Sequence, residues 1–279
     1  MRFVVLRNML RKLRLLISGL LMREVPLRRI DNYFLPLPEN GCHEDYRAHC
    51  YITWKSRWLP RSHAKDLETF ITSNNKYYFH FFDDIAQHSW MEKNFPNTRI
   101  LEIYHAMKFP AAKSDIFRYA IVWKLGGTYF SINRLTYLPI AELIGKLDDF
   151  RLSFSHVSYE RKTEFFAYPR EYKGLSVIQY TVSAPPGNLV LSNALKLIEE
   201  KAPSYWNKRF EKVNRAIWEL CGPYLLTDAV DKYLRDTGNE LEVLGFDFKD
   251  SLWVPSGLEF RYLQSPSYMS FKNAIVLGD

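Results

Sequence analysis

The chain has 279 residues, of which 47% are hydrophobic and 25% charged, and its net charge is +7. These values exclude a disordered or fibrous chain and fit one large α/β domain or two small ones. Cys42, Cys50 and Cys221 are widely spaced and form no CxxC pair, which excludes a disulfide framework or a zinc motif and favours a reducing compartment. The positive charge favours nucleotide phosphates, nucleic acid or anionic lipid as partners.

Residues 1–40 are predicted to be a basic amphipathic helix followed by a proline-rich connector, and residues 41–279 the globular domain. Within residues 1–25, aliphatic side chains recur every three or four positions and arginines occupy the opposite face. Such a helix can lie in a membrane interface, against anionic headgroups. The alternative is a helix that packs on its own domain or pairs with a second subunit.

No apolar run approaches the ~20 residues of a membrane span, and no small-residue cleavage site follows the basic start. We therefore expect a cytoplasmic protein, either free or held peripherally on the inner face of the membrane. The basic residues alternate with aliphatic rather than aromatic side chains, so nucleic acid is not an expected partner.

Strand-like and helix-like patterns alternate along the domain and predict an α/β layered sheet. The predicted strands are residues 49–54, 76–82, 128–132, 152–156, 176–183, 241–244 and 252–254. The predicted helices are residues 62–72 with Ser62 as N-cap, 85–95, 110–125, 188–201 and 223–234.

Asp83 and Asp84 follow directly after the aromatic strand at residues 76–82. Open α/β sheets bind ligands just beyond the carboxyl ends of their strands, so this acidic pair is predicted to shape a ligand pocket. Asp115 and Arg118 share one face of the predicted helix 110–125 at i, i+3 spacing. They form either a ligand clamp or an ordinary surface ion pair.

Gly126 and Gly127 end that helix, and the strand after them should direct Ser131 and Asn133 the same way. Two carboxylates at these positions would hold a divalent cation, but serine and asparagine supply neutral oxygens only. We therefore expect weak affinity for Mg²⁺ or Mn²⁺.

Other polar residues are expected to have structural roles. His80, His88, His105 and His156 could act as general bases, but no carboxylate, serine or cysteine is spaced to orient them. The acidic pair at 148–149 is predicted to be a solvated loop.

Several segments together resemble glycosyltransferase family 32, the D-x-D group that includes the yeast initiating mannosyltransferase and relatives of the clostridial glucosylating toxins. They occur in the family's order over about residues 50–230, and the D-x-D motif stands here as Ser-Ile-Asn at 131–133. The segments are Thr53-Trp54-Lys55-Ser56 with Leu59-Pro60, Phe82-Asp83-Asp84, Ala112 to Tyr119 with Gly126-Gly127-Thr128-Tyr129, Ser183 to Asn188, and Gly222 to Thr227.

The resemblance implies a GT-A-like fold, a Rossmann-type mixed sheet flanked by helices. It also implies retaining transfer of a hexose from a nucleotide diphosphate sugar to a glycan or glycolipid, in polysaccharide or glycoconjugate biosynthesis. Asp115 and Arg118 would be catalytic, and Ser131 and Asn133 would stand at the metal position. The implied donor-binding residues are Trp54, Lys55, Asp83, Asp84, Lys113, Ser114, Tyr119, Gly126, Gly127, Tyr129 and Arg134.

The neutral residues at the metal position leave two interpretations. In the first, transfer proceeds without a tightly held Mn²⁺ or Mg²⁺, and cationic side chains neutralise the departing diphosphate. In the second, the protein is catalytically inactive and acts as a binding or scaffolding partner at the membrane. The first is favoured because Asp115, Arg118 and the glycine pair are retained.

Overall fold

The computed structural model describes residues 27–31, 34–37, 45–144, 149–158, 174–255 and 268–279. The predicted amphipathic helix and part of the connector lie outside these ranges. In the described part of the chain, no helix combines the length and the apolar character needed to cross a membrane.

Helices and strands alternate along the described ranges. The helices are α1 (Arg61–Ser73), α2 (Asp84–Asn94), α3 (Arg99–Ala106), α4 (Pro110–Leu125), α5 (Ile140–Ile144), α6 (Leu189–Lys201), α7 (Val213–Leu220) and α8 (Pro223–Thr237). The strands are β1 (Leu27–Arg29), β2 (His49–Thr53), β3 (Trp58–Pro60), β4 (Tyr78–Phe82), β5 (Gly127–Ser131), β6 (Leu135–Thr136), β7 (Leu152–Ser158), β8 (Leu175–Val177), β9 (Thr181–Ala184), β10 (Arg209–Phe210), β11 (Val243–Phe246), β12 (Leu252–Trp253) and β13 (Ala274–Ile275).

The central sheet has four strands in the order β4-β2-β5-β9. Strands β4, β2 and β5 are parallel, and β9 closes the edge antiparallel to β5. Thr53 at the end of β2 stands opposite Phe82 of β4 and Ser131 of β5. The three parallel strands therefore end at one common edge, which is where a layered α/β protein places a ligand.

Each face of the central sheet supports its own apolar core, because successive strand residues point to opposite faces. Tyr51 and Tyr129 pack into the core formed with α4, α6 and α8. Cys50, Ile52 and Phe130 pack into the other core, formed with α1 and α5. The predicted α/β class, a mixed sheet with helices on both faces, is confirmed.

Smaller sheets extend the domain beyond the central one. A three-stranded sheet has the order β11-β7-β8, while β1 pairs with β3, β6 with β12, and β10 with β13. Between β11 and β12, Asp247–Asp250 forms a turn in which all four residues have positive φ. The pairing of β6 with β12 brings residues 252–253 beside the turn that follows β5.

Most predicted elements are present to within a few residues, but two predictions are wrong and some short helices were not predicted. Ser62 does not cap α1, which is preceded by Pro60 and has no side-chain cap. The predicted strand 176–183 is two strands, because β8 pairs with β7 and β9 pairs with β5, so the chain passes from one sheet to another between Val177 and Thr181. Helices α3 and α7 were not predicted; each has only eight residues.

The glycine pair at 126–127 joins α4 to β5 where the backbone is crowded. Gly126 ends the helix with a φ of 69°, and Gly127 has a φ of 96°. A Cβ on Gly127 would lie 2.6 Å from the carbonyl oxygen of His49, and one on Gly126 would lie 2.7 Å from the Pro186 ring. Only glycine satisfies both the backbone conformation and the space.

Candidate functional site

Several predicted site residues gather at the carboxyl edge of the central sheet. Trp54 follows β2, and its amide donates to the carbonyl of Phe82 at the end of β4 at 3.2 Å. Asp83 then caps α2 by accepting from the Ala86 amide at 2.9 Å. Trp54 and Asp83 therefore each follow directly after one of a pair of opposed residues, Thr53 and Phe82, at the ends of two adjacent strands.

The third strand ends in the turn that contains Ser131 and Asn133. The Asn133 amide donates to Ser131 Oγ at 3.4 Å, and the Arg134 amide donates to the Ser131 carbonyl at 3.0 Å. The Arg134 guanidinium lies 5.7 Å from the centre of the Tyr180 ring. This turn places a cationic side chain next to the position that the family resemblance assigned to a metal.

Asp115 and Arg118 form a buried ion pair on α4. Arg118 Nη2 donates to Asp115 Oδ1 at 2.7 Å, and the two residues are 6% and 5% exposed for Arg118 and Asp115 respectively. Arg118 also donates to the carbonyl of Gln179 at 2.5 Å and to that of Ser114 at 3.3 Å. The interpretation as a surface ion pair is therefore wrong.

A network of polar contacts ties this ion pair to the sheet edge. The Arg118 guanidinium lies 4.7 Å from the centre of the Tyr129 ring, and the Tyr129 hydroxyl shares a 2.6 Å hydrogen bond with Thr53. Gln179 Nε2 donates to Asp115 Oδ1 at 3.4 Å, and its Oε1 accepts from the Tyr119 hydroxyl at 2.7 Å. The network therefore joins α4 to β2 and β5.

Burial controls the protonation of the Asp115 carboxyl. Desolvation raises its pKa to about 6, and the smaller opposing effects are the Arg118 charge and the hydrogen bond from Gln179. The carboxyl therefore titrates close to neutral pH. A carboxyl with this property is frequent in functional sites, although structural ion pairs show it too.

A cleft of about 360 Å³ opens between α2, α3 and the start of α4. Asp84 and Lys113 line it from opposite sides, together with His88, Tyr104 and Lys108. Desolvation and the neighbouring Asp83 raise the pKa of Asp84, while Lys113 and Lys55 lower it.

The lysines respond to the same carboxylate. Desolvation lowers the pKa of Lys55 and of Lys113, and in each case the Asp84 charge raises it. Asp84, Lys55 and Lys113 are therefore electrostatically coupled, as expected if the three segments that contain them meet at one pocket.

The residues at the D-x-D position do not fit a tightly bound hard cation. Ser131 Oγ and the Asn133 side-chain oxygen are both neutral, whereas Mg²⁺ and Mn²⁺ favour carboxylate oxygens. Asn133 Oδ1 is buried and accepts no hydrogen bond from the residues that the structure describes. A neutral oxygen at this position does not replace the negative charge that the two carboxylates of a D-x-D motif would supply.

Other predicted residues lie elsewhere. Gly126 and Gly127 are at the amino end of β5, and five residues of strand, roughly 16 Å, separate them from the turn after Ser131. Ser114 donates to Gln87 Oε1 at 3.1 Å and so joins α4 to α2. The two glycines are therefore remote from the carboxyl edge, whereas Ser114 contacts Gln87, which lines the cleft of Asp84 and Lys113.

The predictions that His88 has no carboxylate partner and that Asp149 lies in a solvated loop are wrong. His88 does have a carboxylate partner, because Glu92 lies one helical turn further on and its Oε1 is 3.3 Å from His88 Nε2. Asp149 is not a solvated loop residue, since its carboxylate accepts from Asn188 and from the Tyr233 hydroxyl, each at 2.9 Å.

His80 and His156 are two of the other histidines that the sequence singled out. His80 is buried as predicted, and desolvation lowers its pKa to about 4. The His156 side chain lies outside the described residues.

An aromatic pair near the site, with Tyr137 exposed and Trp253 partly buried, was not predicted. Tyr137 is 75% exposed and stacks on Trp253 with ring centres 5.3 Å apart and planes inclined by 18°. Tyr137 directly follows β6, and Trp253 lies on β12, its pairing partner. The sequence contains no signal for the pair, because its members are 116 positions apart and only the β6–β12 pairing brings them together.

Comparisons with known proteins give one family. A family model described as a glycosyltransferase sugar-binding region containing a DXD motif matches residues 42–144. The initiation-specific alpha-1,6-mannosyltransferase of Schizosaccharomyces pombe is 27% identical over 139 residues, which are 49% of this chain and 35% of that protein. The chain therefore spans about a third of the length of this relative.

Solved structures give distant similarities. The PaToxG glycosyltransferase has a TM-score of 0.46 at 13% identity and covers 84% of this chain and 80% of its own. The ligand-free glycosyltransferase domain of the YGT toxin has a TM-score of 0.28 at 10% identity and covers 64% of this chain and 46% of its own.

Proposed function

We propose that the chain is a glycosyltransferase of the family defined by a DXD-containing sugar-binding region, and that it transfers a hexose from a nucleotide diphosphate sugar to a glycan or glycolipid. The match of residues 42–144 to that family model and the similarity to the Schizosaccharomyces pombe mannosyltransferase support this proposal. The transfer breaks the bond between the anomeric carbon and the diphosphate oxygen. The anomeric carbon then bonds to an acceptor hydroxyl oxygen, with retention of configuration, and the hydroxyl proton passes to solvent. The product belongs to polysaccharide or glycoconjugate biosynthesis.

The observation that best supports donor binding here is the common carboxyl edge of β4, β2 and β5. Trp54 and Asp83 follow two of these strands, and Ser131 ends the third. In this proposal Trp54 lines the nucleotide base, and Asp83 and Asp84 shape the nucleotide side of the pocket. Binding at such an edge is the usual arrangement in open α/β sheets.

Asp115 and Arg118 are proposed to position the donor sugar. Arg118 is held by Asp115 and two backbone carbonyls, so its guanidinium cannot swing freely between orientations. A preorganised donor of this kind stabilises developing negative charge without reorganising at the moment of reaction. Because both side chains are almost fully buried, the donor sugar would contact only the exposed edge of the ion pair.

The departing diphosphate is proposed to be neutralised by Lys55, Lys113 and Arg134 rather than by a tightly bound metal. Lys55 and Lys113 share Asp84 as their neighbouring charge, and Arg134 projects from the turn after β5. Cationic side chains can stabilise a leaving diphosphate electrostatically, as metal ions do. The side-chain oxygens of Ser131 and Asn133 carry no charge and would hold a metal ion only weakly, which supports this assignment.

The acceptor is proposed to bind against Tyr137 and Trp253. Tyr137 exposes most of its ring and lies one residue beyond β6, close in the chain to the turn at Ser131. Aromatic faces bury the apolar faces of sugar rings, and the tyrosine hydroxyl offers a hydrogen bond to sugar hydroxyls.

The direct test is a thermal-shift panel of UDP- and GDP-sugars, each measured with Mn²⁺ and with a chelator. A donor at 100 times its Kd stabilises the folded state by about 2.7 kcal/mol, which is a shift of several degrees. We expect one donor to shift the melting temperature equally with and without metal. A shift that needs Mn²⁺ contradicts the metal-independent mechanism, and no shift with any donor supports the inactive, scaffolding alternative.

A second variant separates these outcomes. Ser131→Asp with Asn133→Asp supplies the two missing carboxylates, and we expect it to make donor binding respond to Mn²⁺ while the parent protein does not. The matched control is Ser192→Asp with Asn193→Asp, which adds the same two charges near the start of α6. If the variant at 131 and 133 binds no donor under any metal condition while remaining folded, the turn after β5 does not face the diphosphate.

A further inference from the structure

Two histidines and a glutamate meet on the outer side of α2 and α3. His88 and Glu92 are one turn apart on α2, with His88 Nε2 and Glu92 Oε1 3.3 Å apart. His105, near the end of α3, places its Nε2 4.0 Å from the same carboxylate oxygen. The two imidazole rings are 4.7 Å apart and inclined by 63°.

We propose that His88, Glu92 and His105 bind a divalent transition-metal ion of the Zn²⁺ class, separately from the D-x-D position. Their ligand atoms all lie within 4.8 Å of one another, and no other group of three such side chains does so in the described ranges. Imidazole nitrogen with one carboxylate is a donor set that suits Zn²⁺, whereas Mg²⁺ prefers oxygen ligands alone.

The separation of His88 and Glu92 fits a tetrahedral centre, and all three ligand atoms lie within 4.8 Å of one another. With metal–ligand bonds of about 2.0–2.1 Å, two ligands of a tetrahedral zinc are roughly 3.4 Å apart. His88 and Glu92 already have this separation. His105 and Glu92 are both exposed, so a small side-chain rotation brings His105 the remaining half ångström or so without disturbing the core.

An ordinary surface ion pair explains less of this arrangement. One carboxylate oxygen serves both imidazoles, although a single i, i+4 contact would satisfy Glu92. Exposed pairs of this type contribute little to stability, about 0–1 kcal/mol. An ion bound by all three residues would instead cross-link the short helix α3 to α2 at the surface.

The proposed ion would keep one open position. Three protein ligands leave the fourth tetrahedral place to water or to another oxygen ligand. His88 also lines the cleft that contains Asp84 and Lys113, so this position is close to the cleft mouth. This inference is independent of the proposed transferase reaction, because neither donor nor acceptor is needed for the ion to bind.

The test is titration of the tag-free full chain with Co²⁺, followed by visible absorption, and then displacement by Zn²⁺ in calorimetry. We expect one ion per chain and the intense visible bands of four-coordinate Co²⁺. Glu92→Gln and His105→Gln should each weaken binding at least ~10-fold, since even outer contacts to bound metals are worth that much. The control is Glu102→Gln, which removes an exposed carboxylate of α3 paired with Arg99 at 2.6 Å.

Two results would overturn the inference. One is fewer than one ion per wild-type chain, or binding without the four-coordinate bands. The other is unchanged binding in both Glu92→Gln and His105→Gln, which would place the ion elsewhere. Far-ultraviolet circular dichroism shows whether each variant is folded. If one of the two variants fails to fold, the other still tests the site. The donor thermal-shift panel is scored separately, so either proposal can fail without the other.

Discussion

Replacing Arg118 with glutamine should destabilise the protein in a pH-dependent manner. Arg118 is 6% exposed and donates to Asp115, Ser114 and Gln179. Removing one partner of a buried ion pair costs about 3–5 kcal/mol. The part that comes from the lost contacts to carbonyl oxygens is about 1–3 kcal/mol and does not depend on pH.

The pH dependence follows from the Asp115 carboxyl. Its pKa is raised to about 6 in the folded protein, above the value of an unfolded aspartate. A carboxyl of this kind contributes its full stability below about pH 4 and loses it as the pH rises through 6. Without the Arg118 charge the folded pKa rises further, so the loss continues to higher pH.

We therefore expect Arg118→Gln to lose about 1–3 kcal/mol at pH 5, where Asp115 is protonated in both proteins. The deficit should grow above pH 6 by up to about 1.4 kcal/mol per pH unit and reach about 3–5 kcal/mol at pH 8. Urea unfolding at the two pH values measures it. Equal deficits at pH 5 and pH 8 would refute the reasoning.

Two controls separate the ion pair from general disruption. The double variant Arg118→Gln with Asp115→Asn has no carboxyl to titrate at this site, so its deficit relative to the parent protein should not grow between pH 5 and pH 8. Arg215→Gln removes an exposed i, i+4 pair with Glu219 at 2.8 Å. It should change stability by less than about 1 kcal/mol.

Three further substitutions test other parts of the structure. Gly127→Ala should cost at least ~2 kcal/mol in urea unfolding, because its Cβ would meet the His49 carbonyl at 2.6 Å and its φ is positive; an unchanged midpoint contradicts this packing. Tyr137→Ala should raise the acceptor KM several-fold with little change in the donor KM, whereas Tyr78→Ala, an exposed tyrosine at the amino end of β4, should change neither. Lys113→Met should weaken nucleotide-sugar binding in calorimetry and flatten its dependence on salt, and an identical affinity and salt slope would exclude Lys113 from the diphosphate site.

The sheet and the polar residues at its carboxyl edge could be predicted because short aromatic and β-branched runs end in polar residues. The run before Asp83 and Asp84 and the glycine-to-asparagine segment at 126–133 both give this pattern, and each strand lies within two residues of its prediction. Local sequence is sufficient where a strand is fully buried and its boundaries are marked by glycine or by acids.

The polar network around Arg118 could not be predicted in the same way. Its partner Gln179 lies in the gap between β8 and β9, which the apolar pattern presented as one continuous strand. The spacing of Asp115 and Arg118 shows that they share a helical face, but burial of that face depends on later segments. Propensity contains no information about which segment covers the helix.

Only part of the His88–Glu92–His105 cluster could be predicted from the sequence. His88 and Glu92 have i, i+4 spacing, but His105 belongs to α3, an eight-residue helix that was not predicted. A helix this short gains its stability from packing rather than from its own sequence, so its periodic signal is weak. Without α3 the third ligand had no assigned place.

The covering of α4 has a consequence for engineering. The helix lies inside the family-matching region 42–144, yet its buried face packs against α6 and neighbours a core shared with α8. Tyr119 on α4 donates to the Gly222 carbonyl just before α8 at 3.4 Å, and β9 supplies the outer strand of the sheet. The matching region is thus not an autonomous module, and a chimera that transplants it into a related scaffold must bring residues 174–237 with it.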